Sequence, residues 1–272
     1  MKLTTEALED FREQEFCLLK KVIPPSNCRE IRESVIATVR GERNKYNNAP
    51  EYVGFVPGLI SVDQSFAKYL ADGRIASLCH KLLGEHFRIS FTSAIINEPG
   101  NARGGWHADW PFNQKNAGHL ETPYPDAVMH ITTLWILSPF TESNGGTLLR
   151  PGSHSDPSNP TAPGRDDAGQ MFDDEIHVTG SEGSVIFMDS RLWHAAPANR
   201  SSQPRVVLAV RHAPWWLNLE VLRPGSDQRR QMCDEAGKSD NIVPPIPREI
   251  FDALPRDVRS LFRHWVEVGN LS

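Results

Sequence analysis

Apolar residues change their spacing near residue 86. Before it they recur at helical intervals: after the break at Pro24-Pro25-Ser26, the residues Cys28, Ile31, Val35, Ile36 and Val39 fall at helical spacing. A shorter helix is predicted over 5–14, a strand over 16–23, and a second helical stretch over about 65–83, ending at Gly84 as its C-cap. After residue 86 short runs rich in β-branched and aromatic residues alternate with Gly, Pro and Asn clusters. Strands are predicted over 88–97, 130–137, 147–150, 175–178, 184–188 and 205–212. Short strands after helices point to a helix-flanked antiparallel sandwich or barrel.

Two long polar loops, 111–126 and 151–174, interrupt the β region. Loops beyond about 12–15 residues in a compact domain are usually lids, binding loops or disordered. From Asn241 the chain reads as helical again, broken by Pro244, Pro245, Pro247 and Pro255, and is expected on the outside of the sheet. The 272 residues fit one large domain: a helical flank over 1–86, a β core over 87–215 and a helical tail over 216–272.

Composition narrows the function. Lys+Arg is 29 against 34 Asp+Glu, a net charge of −5, so no basic excess exists to hold nucleic acid. No run approaches about 18 apolar residues, so no membrane span is expected. The opening residues lack the apolar core of a signal peptide. Cys17, Cys28, Cys79 and Cys233 form no CxxC pair and read as free thiols in a reducing cytoplasm.

The chemistry lies in the histidines and acids. Two His and one carboxylate on one face of a metal suit non-haem Fe(II), leaving positions open for a cosubstrate and O₂. Three pairs have the spacing: His107 with Asp109, His119 with Glu121, and His154 with Asp156. Such pairs arise by chance, so context has to choose. His107 and Asp109 follow a predicted strand, where residues two apart point to one face. The other two pairs lie in polar, proline-bounded loops and read as solvated. The third ligand is expected from a later strand, and residues 183–189 lead into Trp193-His194. The long interval from Asp109 to His194 holds several strands and both loops, whereas the interval from Asp156 is short and much of it loop. His107, Asp109 and His194 are therefore the predicted triad. Arg205 opens the returning strand, and an arginine there offers a two-pronged donor to a carboxylate near the metal. Arg200 and Arg211 are competitors.

Trp-His107-x-Asp109, Asn144-Gly145-Gly146-Thr147-Leu148, Pro151-Gly152-Ser153-His154, Trp193-His194 and Arg205 eleven residues on together resemble the phytanoyl-CoA dioxygenase family over about 10–215. The resemblance implies a double-stranded β-helix, or jelly roll, of cupin-like form with flanking helices. It also implies Fe(II) on His107, Asp109 and His194, and the far carboxylate of 2-oxoglutarate on Arg205. Succinate and CO₂ would form as a small-molecule substrate is oxidised by O₂. Many members carry a hydroxyl residue two positions after the distal His, where this chain has Ala196; Thr133 and Asn97 are candidates for the missing polar contact. Halogenating relatives lose the carboxylate that Asp109 supplies here, so hydroxylation, desaturation or a related oxidation is favoured.

Trp106, Trp110, Phe112 and Trp135 are expected as sheet packing or as a wall around the oxidant, and Trp215-Trp216 as packing at the sheet end. The acids of 151–174 against Arg165 favour a neutral or cationic substrate. The alternatives are a zinc hydrolase with the same three ligands, which would need no Arg205, a cupin dioxygenase independent of 2-oxoglutarate, whose usual His-x-His Asp109 interrupts, and a non-catalytic jelly-roll binding module. The oligomeric state is not legible.

Overall fold

Strand β3 (Arg88–Asn97) is the sheet's long axis, and the computed structural model gives it the bounds that its apolar pattern predicts. Residues 2–42, 53–109, 116–121 and 123–267 are described. Around β3 the chain builds a main antiparallel sheet from β1 (Phe16–Leu19), β2 (Val53–Pro57), β4 (Ile131–Ile136), β7 (Val185–Asp189) and β9 (Arg205–Ala213). Its order is β1-β7-β4-β9-β3-β2. A smaller sheet pairs β5 (Thr147–Leu149) between β6 (Ile176–Val178) and β8 (His194–Ala195). The two sheets form the jelly-roll core, a double-stranded β-helix.

The main sheet is buried on both faces, which explains its near-continuous apolar strands. Along β9, Val206, Leu208 and Val210 join the larger core beneath the helices, while Val207 and Ala209 join a second core against the small sheet. Along β4, Ile131 and Trp135 face the helices, and Leu134 and Ile136 face the small sheet. This two-residue alternation decides which side chains can reach the space between the sheets.

Three helices cover the outer face: α1 (Lys2–Gln14), α2 (Pro25–Glu42) and α3 (Gly73–Leu83). Of the stripe predicted for it, helix α2 buries Cys28, Ile31, Val35 and Val39 and leaves Ile36 half-buried. The stretch predicted as helical over 65–83 divides, because Asp72 leaves helical geometry and its side chain accepts a hydrogen bond from the Arg74 amide at 2.9 Å. The strand predicted over 16–23 stops at Leu19: Lys21 takes a left-handed φ of 55°, and the Val22 and Ile23 amides both turn onto the Gly183 carbonyl. Prolines set the tail, with Pro247 and Pro255 standing immediately before the helices Arg248–Ala253 and Arg256–Phe262. Trp265 then packs against β3 and donates its indole N–H to the Ile89 carbonyl at 3.0 Å. All four cysteines are buried and unpaired. Among the described residues no helix is long and apolar enough to cross a membrane.

One expectation is corrected. Trp215 and Trp216 are exposed, at 63% and 53%, and do not pack at the sheet end. Trp135 is sheet packing, as expected: it lies in the core beneath the helices and not at a wall between the sheets, because its position on β4 has the parity of Ile131.

Candidate metal centre

Two distant segments are stitched into one rim by backbone hydrogen bonds. The His107 amide donates to the His194 carbonyl at 3.1 Å, and the His194 amide returns to His107 at 2.9 Å. The Asp109 amide donates to Ser190 at 2.9 Å. A tight turn delivers His194: Arg191 folds back on Asp189 through a buried ion pair of 2.8 Å. Ser153 of the Pro-Gly-Ser-His motif fixes the same segment, accepting the Trp193 amide at 2.9 Å and donating to Arg150 at 2.6 Å.

His107, Asp109 and His194 bring ligand atoms within 4.8 Å of one another. The Asp109 Oδ2 and His194 Nε2 atoms are 3.8 Å apart, and the two imidazole rings stand 4.1 Å apart. Each Nδ1 faces a carbonyl, Gly105 at 3.2 Å for His107 and Leu192 at 3.0 Å for His194. A carbonyl only accepts, so Nδ1 carries the proton and Nε2 keeps a lone pair for a cation.

Burial alone would raise the Asp109 pKa. Arg211, His194 and His107, with a 2.6 Å hydrogen bond from Thr132, outweigh it and hold the carboxyl ionised, well below its usual range. Burial pushes His107 down to about 4, with His194 adding to the effect, so its ring is neutral and ready to ligate at neutral pH.

A cavity of about 200 Å³ opens beside the triad. Its floor is one face of β9, where Arg205, Val207, Ala209 and Arg211 follow at two-residue intervals. Arg205 is 4% exposed. It donates to the Gly146 carbonyl at 3.0 Å, its Nε has no partner, and it pairs with no carboxylate among the described residues. Burial brings it down to about 10, still protonated at neutral pH. A buried, unpaired guanidinium is costly, and a bound anion would offset that cost. The Asn144-Gly145-Gly146 turn supplies its support: a Cβ on Gly146 would stand 2.6 Å from the Val178 carbonyl.

Two predicted contacts fall elsewhere. Thr133 faces the helices, where its hydroxyl donates to the Val210 carbonyl at 2.7 Å and accepts the Trp135 indole N–H at 2.9 Å. Asn97 pairs with Arg205 in register, but its side chain is taken up by Pro197 and Asn101. Thr147 does line the cavity, as does Ala196. Arg211, a competitor to Arg205 in the sequence, grips Asp109 Oδ1 at 2.5 Å. Its even spacing from Arg205 along one strand was the available signal. His154 meets Glu15, and His119 meets the exposed Glu121, so neither reaches the triad. Trp106 is buried with Trp193, Leu148 and Ala195; Trp110 and Phe112 lie outside the described residues. The acidic loop is largely paired, Asp156 and Asp167 with Arg165 and Asp174 with Arg150.

The phytanoyl-CoA dioxygenase (PhyH) family model matches residues 11–207. The chain is 28% identical over 153 residues to the dioxygenase af480 of Aspergillus fumigatus, covering 56% of this chain and 45% of that protein. It is 25% identical over 167 residues to the uncharacterized protein Rv1501 of Mycobacterium tuberculosis, covering 59% and 55%. The chain thus spans about half the length of the curated relatives it matches. Among solved structures it is similar in fold to the epimerase SnoN bound to Fe³⁺, alpha ketoglutarate and nogalamycin RO, with TM-score 0.60, 17% identity and coverage of 78% and 84%. The alpha ketoglutarate dependent carbocyclase SnoK is comparable, with TM-score 0.57, 19% identity and coverage of 77% and 83%.

Proposed function

We propose, since this chain belongs to the phytanoyl-CoA dioxygenase family, that it is an Fe(II)- and 2-oxoglutarate-dependent dioxygenase oxidising a small molecule. His107, Asp109 and His194 are the iron ligands, and Arg205 receives the far carboxylate of 2-oxoglutarate. The observation that carries this reading is the buried Arg205 without a carboxylate partner, in the same cavity as the triad. A zinc hydrolase or a binding module built on the same three ligands has no need of that guanidinium.

The residues fit the group. Two imidazoles and one carboxylate form a donor set for a divalent iron with open positions. When bound, iron and 2-oxoglutarate supply the activation of O₂, with 2-oxoglutarate ending as succinate and CO₂. The chain's own residues bind and orient. Arg205 fixes the diacid by charge and geometry, and Thr147, whose hydroxyl donates to the Ala195 carbonyl at 3.4 Å, lines the cavity where Ala196 offers no hydroxyl. Ile95, Leu134, Val207 and Ala209 give the cavity an apolar wall that excludes water. Because Asp156, Asp167 and Asp174 are paired with arginines, the 151–174 loop gives little support for a cation, and an uncharged small molecule is the substrate class favoured. Hydroxylation is the simplest outcome. Four buried thiols suit a reducing compartment, the cytoplasm.

The test needs no substrate. Fe(II) is added anaerobically to metal-free protein, followed by 2-oxoglutarate, and a visible charge-transfer band is sought. The expected result is a band abolished by His107→Ala and weakened by Arg205→Ala. Normal iron binding without a band would overturn the 2-oxoglutarate reading.

A further inference from the structure

We propose that Ser90, His130, Ser190 and Thr132 form a one-directional hydrogen-bond relay that positions Asp109 for metal binding. The inference rests on the reading of Asp109 as a metal ligand.

A carboxylate turns easily and offers two oxygens, so a ligand of this kind needs its plane held. Arg211 holds Oδ1, while Thr132 donates to Oδ2 at 2.6 Å. Oδ2 is also the oxygen 3.8 Å from His194 Nε2. Behind Thr132 the contacts continue. Thr132 Oγ1 meets Ser190 Oγ at 2.8 Å, Ser190 Oγ meets His130 Nδ1 at 2.8 Å, and His130 Nε2 meets Ser90 Oγ at 2.8 Å.

Valence assigns every proton. An ionised carboxylate only accepts, so the Thr132 hydroxyl hydrogen goes to Asp109. Thr132 oxygen then accepts from Ser190, and Ser190 oxygen accepts from the Nδ1–H of His130. The neutral ring leaves Nε2 as acceptor for Ser90. Every donor along the chain therefore points toward Asp109. Aligned hydrogen bonds polarise one another, which strengthens the last of them. The participants are each 3% exposed or less, so water does not compete.

Packing alone does not require this. Four buried polar side chains cost more than apolar ones unless each is satisfied, and here the satisfied chain ends on the metal-facing oxygen. Its members come from β3, β4 and the turns before β4 and after β7, so the relay ties Asp109 to the rigid main sheet. Thr132, Ser190 and His130 are positioning residues: they act on the metal through Asp109.

The experiment titrates metal-free protein with Mn(II) by calorimetry, in the wild type, Thr132→Ser, Thr132→Val, Ser190→Ala and the Thr132→Val/Ser190→Ala double variant. Loss of an outer partner of a ligand typically costs 10–100-fold in metal affinity, so Thr132→Val is expected to bind about tenfold more weakly. Thr132→Ser, which keeps the hydroxyl, is expected within about twofold of wild type on the same scale. Ser190→Ala is expected to weaken binding about threefold alone and to add nothing to Thr132→Val, as coupling through one chain demands. A merely structural network would lower the melting temperature and leave Mn(II) affinity unchanged, which overturns the relay. So does a Ser190→Ala effect of equal size with and without the Thr132 hydroxyl. Should Thr132→Val not fold, Ser190→Ala at wild-type affinity still overturns it. A wild type that binds no Mn(II) overturns instead the metal-centre reading beneath it.

Discussion

His107 and His194 exchange both of their backbone hydrogen bonds, at 3.1 and 2.9 Å, in a single antiparallel bridge that joins no further strand pairs. One ligand lies in a loop after β3, the other at the start of β8. Their bridge makes the ligand pair part of the backbone lattice, so the imidazoles are placed before any cation arrives. Preorganisation of this kind lets binding proceed without ordering two loops.

Arg205→Met separates ligand binding from folding. The buried guanidinium has no carboxylate partner among the described residues, so its removal is expected to leave the melting temperature unchanged or raised. At 2-oxoglutarate one hundred times its Kd, wild type should gain about 2.7 kcal/mol, and the variant little of this. Thermal melts with and without 2-oxoglutarate in the presence of Mn(II) check both halves. An Arg205→Met variant that still gains stability would remove Arg205 from the cosubstrate site.

The Gly145-Gly146 turn tolerates no side chain. Gly145 has φ +76°, and an added Cβ would stand 2.6 Å from the Pro197 carbonyl. Gly145→Ala is expected to cost about 1–3 kcal/mol, read as a shift of the urea midpoint. Gly146→Ala should in addition weaken 2-oxoglutarate binding, since the Gly146 carbonyl holds Arg205.

Ser153→Ala tests the Pro-Gly-Ser-His element as a support. It leaves the buried Trp193 amide without its acceptor, at an expected cost of about 1–3 kcal/mol. Metal affinity should fall with it, because the next residue is His194. Urea unfolding and a Mn(II) titration give the two readings; unchanged values in both would show the element to be independent of the metal centre.

Acid should weaken the fold through His212. Neither ring nitrogen has a hydrogen-bond partner among the described residues, and burial pushes the residue down to about 3. In the unfolded chain it titrates near its ordinary value of about 6.5. Between these values the unfolded state binds the extra proton, so this contribution is complete above about pH 6.5 and is lost as pH falls toward 3. The slope from this one group is at most about 1.4 kcal/mol per pH unit. Urea unfolding at pH 7.5 and pH 5 should show a smaller difference in His212→Leu than in wild type. An equal difference would place the acid sensitivity in other groups.

The sequence by itself determined every strand of the main sheet except β2, the apolar face of α2 and the grouping of His107, Asp109, His194 and Arg205. These follow from local rules: strand and helix periods, turn residues, and the alternation that puts His107 and Asp109 on one face. Strands β2 and β8 were not legible, because a short strand's identity comes from the partner it pairs with, and His194 pairs with Leu149 and bridges to His107. Only the tertiary structure decided the surroundings of Asp109. Thr132, and not Thr133, faces the site because β4 is buried on both sides and its apolar run hides which parity looks inward. Arg211 reaches Asp109 because β9 lies beside β4 with Arg211 opposite Thr132. Ser190, His130 and Ser90 meet only where three strands and a turn converge. Such contacts depend on register between segments far apart in the chain, and residue spacing along one chain does not encode that register.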